Sequence, residues 1–95
     1  EQGLRKLTGE IAHVLAIDRG VLRVGAPADV VVLDWAKPDP GPIRRVVDMP
    51  ASGDRLIADQ PRGLDHVFVN GVAIRSEGRS VLGGLARLPG QILRP

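Results

Sequence analysis

Ninety-five residues, 43% of them apolar and none of them cysteine, make one small domain near the lower limit at which a single core stabilises a fold unaided, and exclude disulfide frameworks, thiolate metal sites and large internal cavities. No apolar run approaches the roughly 18 residues that span a bilayer, and no basic-then-apolar leader opens the chain. The isoelectric point is near 9.9, yet the net charge is only +2 and the arginines are scattered among aspartates, while Trp35 and Phe68 are the sole aromatic platforms, which argues against a nucleic-acid partner.

Leu4, Leu7, Ile11, Val14 and Leu15 recur at three- and four-residue spacing and predict an amphipathic helix. Thr8 is its candidate N-cap for the second half, and Gly9 discourages one uninterrupted helix. The helix is expected to stop near Ala16, because Asp18-Arg19-Gly20 offers turn chemistry and a glycine able to take positive φ. The chain begins EQGLRKL, without Met and already in helical period, so it is expected to be cut from a longer polypeptide.

Val21, Leu22 and Val24 predict a brief strand closed by the turn Gly25-Ala26-Pro27. Residues 28–35, ADVVVLDW, are apolar on both alternating faces and predict a central strand covered on both sides. Asp29 and Asp34 bracket it, in positions where carboxylates bind donors in neighbouring turns. Between 36 and 63 the periodicity weakens and five of the eight prolines appear. Short strands are expected at 43–47, with Arg44 and Arg45 on opposite faces, and at 55–58, with a turn at Ala51-Ser52-Gly53-Asp54. So long a loop is expected to lie against a partner domain.

The clearest local signal is HVFVNGVAI, residues 66–74. Asn70-Gly71 fits a two-residue type I′ turn, whose central positions both need positive φ. That register pairs Val69 with Val72, Val67 with Ile74, Phe68 with Ala73 and His66 with Arg75. If the Val/Ile face is sealed, each side chain contributes roughly 1.5 to 3 kcal/mol and Val69→Asp unfolds the domain. Glu77-Gly78 predicts a second turn, 80–82 a short strand, Gly83-Gly84 a flexible turn, and 88–93 a last edge segment despite Pro89.

The chemical inventory is thin. Glu10 and His13 stand three apart on the helix, the offset used in di-metal bundles, but a site of that kind needs a second such pair and further carboxylates. His66 opens a strand and is expected to be a hydrogen-bonded structural residue. Ser52, Ser76 and Ser80 lack a nucleophile elbow, no phosphate-binding glycine loop is present, and Asp54 and Asp59 are expected to be solvated turn carboxylates. No residue of the chain is therefore assigned a catalytic, cofactor-binding or metal-ligating role.

The run RGVLRVGAPADVVVLD, residues 19–34, is similar to the R-G-x-[IL]-x-x-G-x-x-A-D-[LIV]-V-[VL]-[FL]-D signature near the end of amidohydrolase-superfamily enzymes, and HVFVNGVAI is similar to their later V-x-V-N-G-x-x-[VI] hairpin. LTGEIAHVLAIDRG, residues 7–20, looks like their last barrel-side helix, with Gly9-Glu10-Ile11-Ala12 where that helix often carries a proline. DMPASGDRLIADQPRGLDHVFVNG and the ending LPGQILRP resemble the N-acyl-D-amino-acid deacylase (D-aminoacylase) branch.

The resemblance implies a mainly β chain with one or two short helices, in which 1–17 form the last barrel-side helix and connection, and 18–95 the carboxy-terminal part of a composite β-sandwich. Its implied partners are the (β/α)₈ barrel and amino-terminal strands of a longer chain. That parent is expected to be a cytoplasmic hydrolase of C–N bonds other than peptide bonds, acting on a small-molecule substrate with zinc or another divalent metal. The metal-binding motifs implied by the resemblance match nothing here, so this portion by itself is expected to be inactive. The alternative is a stand-alone structural or protein-interaction β module. Biotinyl and lipoyl carriers use a similar hairpin, but they show a lysine where this chain has Asn70-Gly71.

Overall fold

A computed structural model describes residues 1–94 as a mainly β chain, with two short helices followed by two antiparallel sheets. The helical segment is α1 (Gln2–Leu7) and α2 (Gly9–Val14), broken at Thr8, where φ is −127° and ψ −89°. Thr8 does occupy the N-cap position of α2, but its hydroxyl makes no capping bond there. It donates instead to the Leu4 carbonyl at 2.7 Å, because the end of α1 leaves that acceptor free. The chain leaves α2 through Leu15 and Ala16 (φ 53°), and Gly20 takes φ 78° where a Cβ would lie 2.8 Å from the backbone of Thr8. The turn at 18–20 thus closes directly on the helix break.

The expected strand at 21–24 does not form. Among the described residues no strand offers it a backbone ladder, and Val24 is fully exposed within a loop that turns at Arg23–Ala26. The larger sheet contains β1 (Val30–Leu33), β4 (Leu64–Val69), β5 (Val72–Ser76) and β6 (Arg79–Ser80), in the order β1-β4-β5-β6. The smaller pairs β2 (Arg44–Met49) with β3 (Gly53–Ile57). β1 is therefore an edge strand and not the central strand its sequence predicts, and Val31 is 55% exposed. Its two-sided apolar character is real, yet Val31 on one face and Val32 on the other are both exposed.

The proline-rich stretch is a projecting β arm. The ladder that pairs β1 with β4 continues into it through Asp34 N–H to the Gly63 carbonyl (2.8 Å) and a two-way bridge between Asp39 and Arg62, and it ends in the β2–β3 hairpin. Proline interrupts the ladder between these points. The arm carries crossed ion pairs, Arg44 with Asp59 (2.7 Å), Arg45 with Asp54 (3.1 Å) and Arg55 with Asp48 (2.7 Å), so Asp54 and Asp59 are paired rather than simply solvated. The Arg55 bond holds the Asp48 carboxyl below the usual carboxylate range, and Arg44 does the same to Asp59. Since the folded values are the lower ones, this support is present above the ordinary carboxylate range and is lost as pH falls through them.

The Asn70-Gly71 turn forms as expected, with φ 48° and 79°, and Val69 faces Val72 and Phe68 faces Ala73. Beyond that the register differs. Val67 faces Arg75 instead of Ile74, so one extra residue on β5 makes a bulge and His66 loses its expected partner. The cause lies in the Arg75 side chain, whose guanidinium donates to the carbonyls of Leu64 (2.9 Å), Pro61 (3.1 Å) and Gly78 at the root of the arm. The bulge re-aims Arg75 onto those acceptors.

The second turn, Glu77-Gly78, has φ 48° and 72° and leads to β6, one residue earlier than expected. Gly83-Gly84 falls in a single 3₁₀ turn (Leu82–Gly84), and the expected edge segment at 88–93 is not a strand but a strap past the hairpin tip. Pro95 lies outside the described residues.

Ala12 is the only buried hydrophobic residue among those described. The accessible surface is 7893 Å², whereas a compact protein of 10.1 kDa exposes about 5,300 Å². The radius of gyration is 15.4 Å against about 12 Å for a compact chain of this length. Some 2,600 Å² is in surplus, about three times what one partner contributes to a standard protein interface. This changes the expectation for Val69→Asp. Val69 is half-buried, so the substitution is expected to cost only about 1–2 kcal/mol in this chain alone, and to unfold the protein only where another domain seals that face. Urea melts of the variant and of the unaltered chain measure the difference.

Candidate functional site

The densest polar arrangement lies at the tip of the β4–β5 hairpin, where four separate stretches of sequence meet. Arg19, on the turn after α2, presents Nε to Asp29 Oδ2 (2.8 Å) and Nη2 to Asn70 Oδ1 (3.2 Å), while its Nη1 donates to the Asp18 carbonyl (2.9 Å). Asp29, immediately before β1, uses its other oxygen to accept the Asn70 backbone N–H at 2.8 Å. The Asn70 side-chain amide donates to the Pro89 carbonyl at 2.7 Å, and Gly71 N–H donates to the Ala28 carbonyl at 2.9 Å.

Each element is placed by a local sequence cause. Gly20 lets the Arg19 turn approach the helix break, the Asn-Gly pair supplies the positive φ values that point the Asn70 amide outward, and the strap brings in Pro89. The Arg19 side chain is 15% exposed and that of Asp29 35%. The pair is thus partly desolvated, and charge-assisted bonds of this kind are stronger than neutral ones. Asp29 has the structural role its position predicts; so has Asp34, whose Oδ1 accepts Ala36 N–H at 3.0 Å.

That Arg19 and Asn70, 51 residues apart, would meet at Asp29 was not read from periodicity or spacing. The available signal was that all three stand within the quoted R-G, A-D and N-G motifs. Chemically the node is closed on itself. Its carboxylate and amide are engaged by internal partners, which suits a fastening better than a reaction centre.

The other candidates are dispersed. Glu10 pairs with Arg5 at 3.3 Å, and His13 lines an open cleft of about 640 Å³ with Arg5, Thr8 and Val21. His66 stacks on Phe68 with ring centroids 6.3 Å apart, and its Nδ1 lies 3.4 Å from Ser76 Oγ. Ser52 sits in the turn of the arm and Ser80 on β6, neither near a histidine partner. Among the described residues, no three His, Asp or Glu side chains gather as a metal site would require. No helix among them is long and apolar enough to cross a membrane. No family model, curated protein or solved structure matches the chain.

Proposed function

We propose that this chain is the non-catalytic β portion of a metal-dependent amidohydrolase, of the N-acyl-D-amino-acid deacylase kind, and that it supports a barrel supplied by a longer, cytoplasmic polypeptide. The observation that carries the reading is the surplus of about 2,600 Å² of surface, an amount proper to an obligate interface and not to a free-standing domain. Leu7, Val14, Leu22 and Trp35 are each more than two-thirds exposed and contribute to it. The meeting of Arg19, Asp29 and Asn70 adds support, because the polar residues of the motifs that carry the resemblance share one structural task. In this reading α1 and α2 dock on the barrel, the β2–β3 arm reaches along it, and the larger sheet forms half of a sandwich completed by strands from elsewhere. Metal and catalytic acid–base groups belong to the barrel.

Purified by itself, the chain is expected to show no hydrolysis of N-acetyl-D-amino acids, whereas the longer protein hydrolyses them in a metal-dependent way. The reading frame upstream of Glu1 is expected to encode an H-x-H after a strand-like run. Turnover by the 95 residues alone, or an upstream frame without that motif, would overturn the reading. The uncovered edge of β1 favours one other reading, a β module that binds a partner strand. A stable complex formed through β1, with no barrel-encoding frame upstream, would identify that case.

A further inference from the structure

Asn70, the only asparagine of the chain, stands before a glycine, the sequence most prone to deamidation. When its side chain is free, an asparagine followed by glycine cyclises readily, because glycine presents no side chain to hinder its own nitrogen. The Gly71 nitrogen gives up its proton and attacks Asn70 Cγ, ammonia leaves from Nδ2, and the resulting succinimide takes up one water to open as aspartate or isoaspartate. Water in and ammonia out balance the step, and no oxidant or other co-reactant is needed.

We propose that Asn70 is a deamidation site held in check by the node around it. Each group that must move is occupied. The nucleophile is tied, since Gly71 N–H donates to the Ala28 carbonyl at 2.9 Å. The leaving nitrogen is tied to the Pro89 carbonyl at 2.7 Å, and the amide oxygen to Arg19 at 3.2 Å. The Arg19 guanidinium also polarises that oxygen, which by itself favours attack. It acts only once Cγ has swung over the Gly71 nitrogen, and the bonds to Ala28 and Pro89 hold the two apart, so restraint outweighs activation.

Modification therefore follows opening of the tip, and it is one-way. A carboxylate at position 70 lies beside Asp29 with a single guanidinium between them, and isoaspartate lengthens the backbone of a turn that tolerates two residues. The tip does not reclose in its original form, and the strap loses its anchor.

The test is peptide mapping by mass spectrometry after incubation at mildly alkaline pH, on the native protein and on the same protein unfolded in urea. The native protein is expected to convert Asn70 at least about tenfold more slowly, the factor that two or three internal hydrogen bonds supply. Arg19→Ala, folded by circular dichroism, releases the amide oxygen while leaving the bonds to Ala28 and Pro89 in place, and is expected to recover part of the difference. Equal rates in the native and unfolded protein, or a folded Arg19→Ala variant as slow as the parent, would overturn the proposal. If that variant does not fold, hydrogen exchange in the unaltered protein decides: Gly71 N–H is expected to be protected by the same factor as the slowing of deamidation. Free exchange at Gly71 with Asn70 intact would equally defeat it.

Discussion

Replacing Gly63 by alanine is expected to detach the arm from the sheet. At this position φ is +74°, and a Cβ would stand 2.5 Å from the Lys37 carbonyl oxygen, 2.9 Å from its carbon and 3.1 Å from the Asp34 oxygen. The left-handed conformation alone costs alanine about 1–2 kcal/mol. The collision adds to that, because the obstructing atoms are backbone and cannot step aside as a flexible side chain would. The same residue accepts the Asp34 N–H at 2.8 Å, so any relief of the clash breaks the first rung beyond β1. Hydrogen exchange is the decisive measurement. Amides of β2, β3 and the start of β4 should lose protection while those of the Asn70-Gly71 turn keep it; unchanged protection throughout the arm would contradict this account of its root.

Arg75→Ala is expected to be comparably damaging from the other side of the same junction. The guanidinium serves three carbonyls, those of Leu64, Pro61 and Gly78, and thereby joins the arm's end, the first residue of β4 and the β5–β6 turn. Hydrogen bonds from a charged donor are worth about 1.5–3 kcal/mol each, though not additively. Removing all three leaves partly buried acceptors bare, and a loss of about 3 kcal/mol or more is expected in urea denaturation. Arg75→Lys should recover only a fraction, because one ammonium cannot reproduce the planar fork that reaches three acceptors. Full recovery with lysine would show that charge, and not geometry, matters at this position.

Both substitutions act where the sequence was least legible. Local turn chemistry was plain: Asn70-Gly71 and Gly20 take the positive φ values their types predict, and a turn forms at Glu77-Gly78, since such turns depend on neighbouring residues alone. The strands at the centre of the arm were also foreseen, although the nested ladder joining them to β1 and β4 was not, because prolines interrupt the alternation on which a strand is recognised. The bulge at Ile74 was hidden for a different reason. It depends on where Arg75 finds carbonyls, and two of these belong to a segment whose path is set by Gly63. β1 misled in the opposite sense: its apolar residues on both faces predict a central, covered strand, whereas it lies at the sheet edge with Val31, Val32 and Leu33 exposed. At the node, Asp29 was legible as a turn-binding carboxylate, but its partners come from far along the chain and left no mark in local spacing.

The nesting of the arm within the β1–β4 pair bears on how the chain acquires its shape. β2 meets β3, β4 meets β5 and β5 meets β6 across short turns, and once the arm has zipped, the ends of β1 and β4 are already side by side. Ladder formation can thus advance as a series of small loop closures, each costing little chain entropy. Arg19 and Asn70 are different, with 51 residues between them and no ladder leading to their encounter. Their fastening is expected to come late in folding, so that mutations there accelerate unfolding in stopped-flow kinetics while leaving the folding rate nearly unchanged.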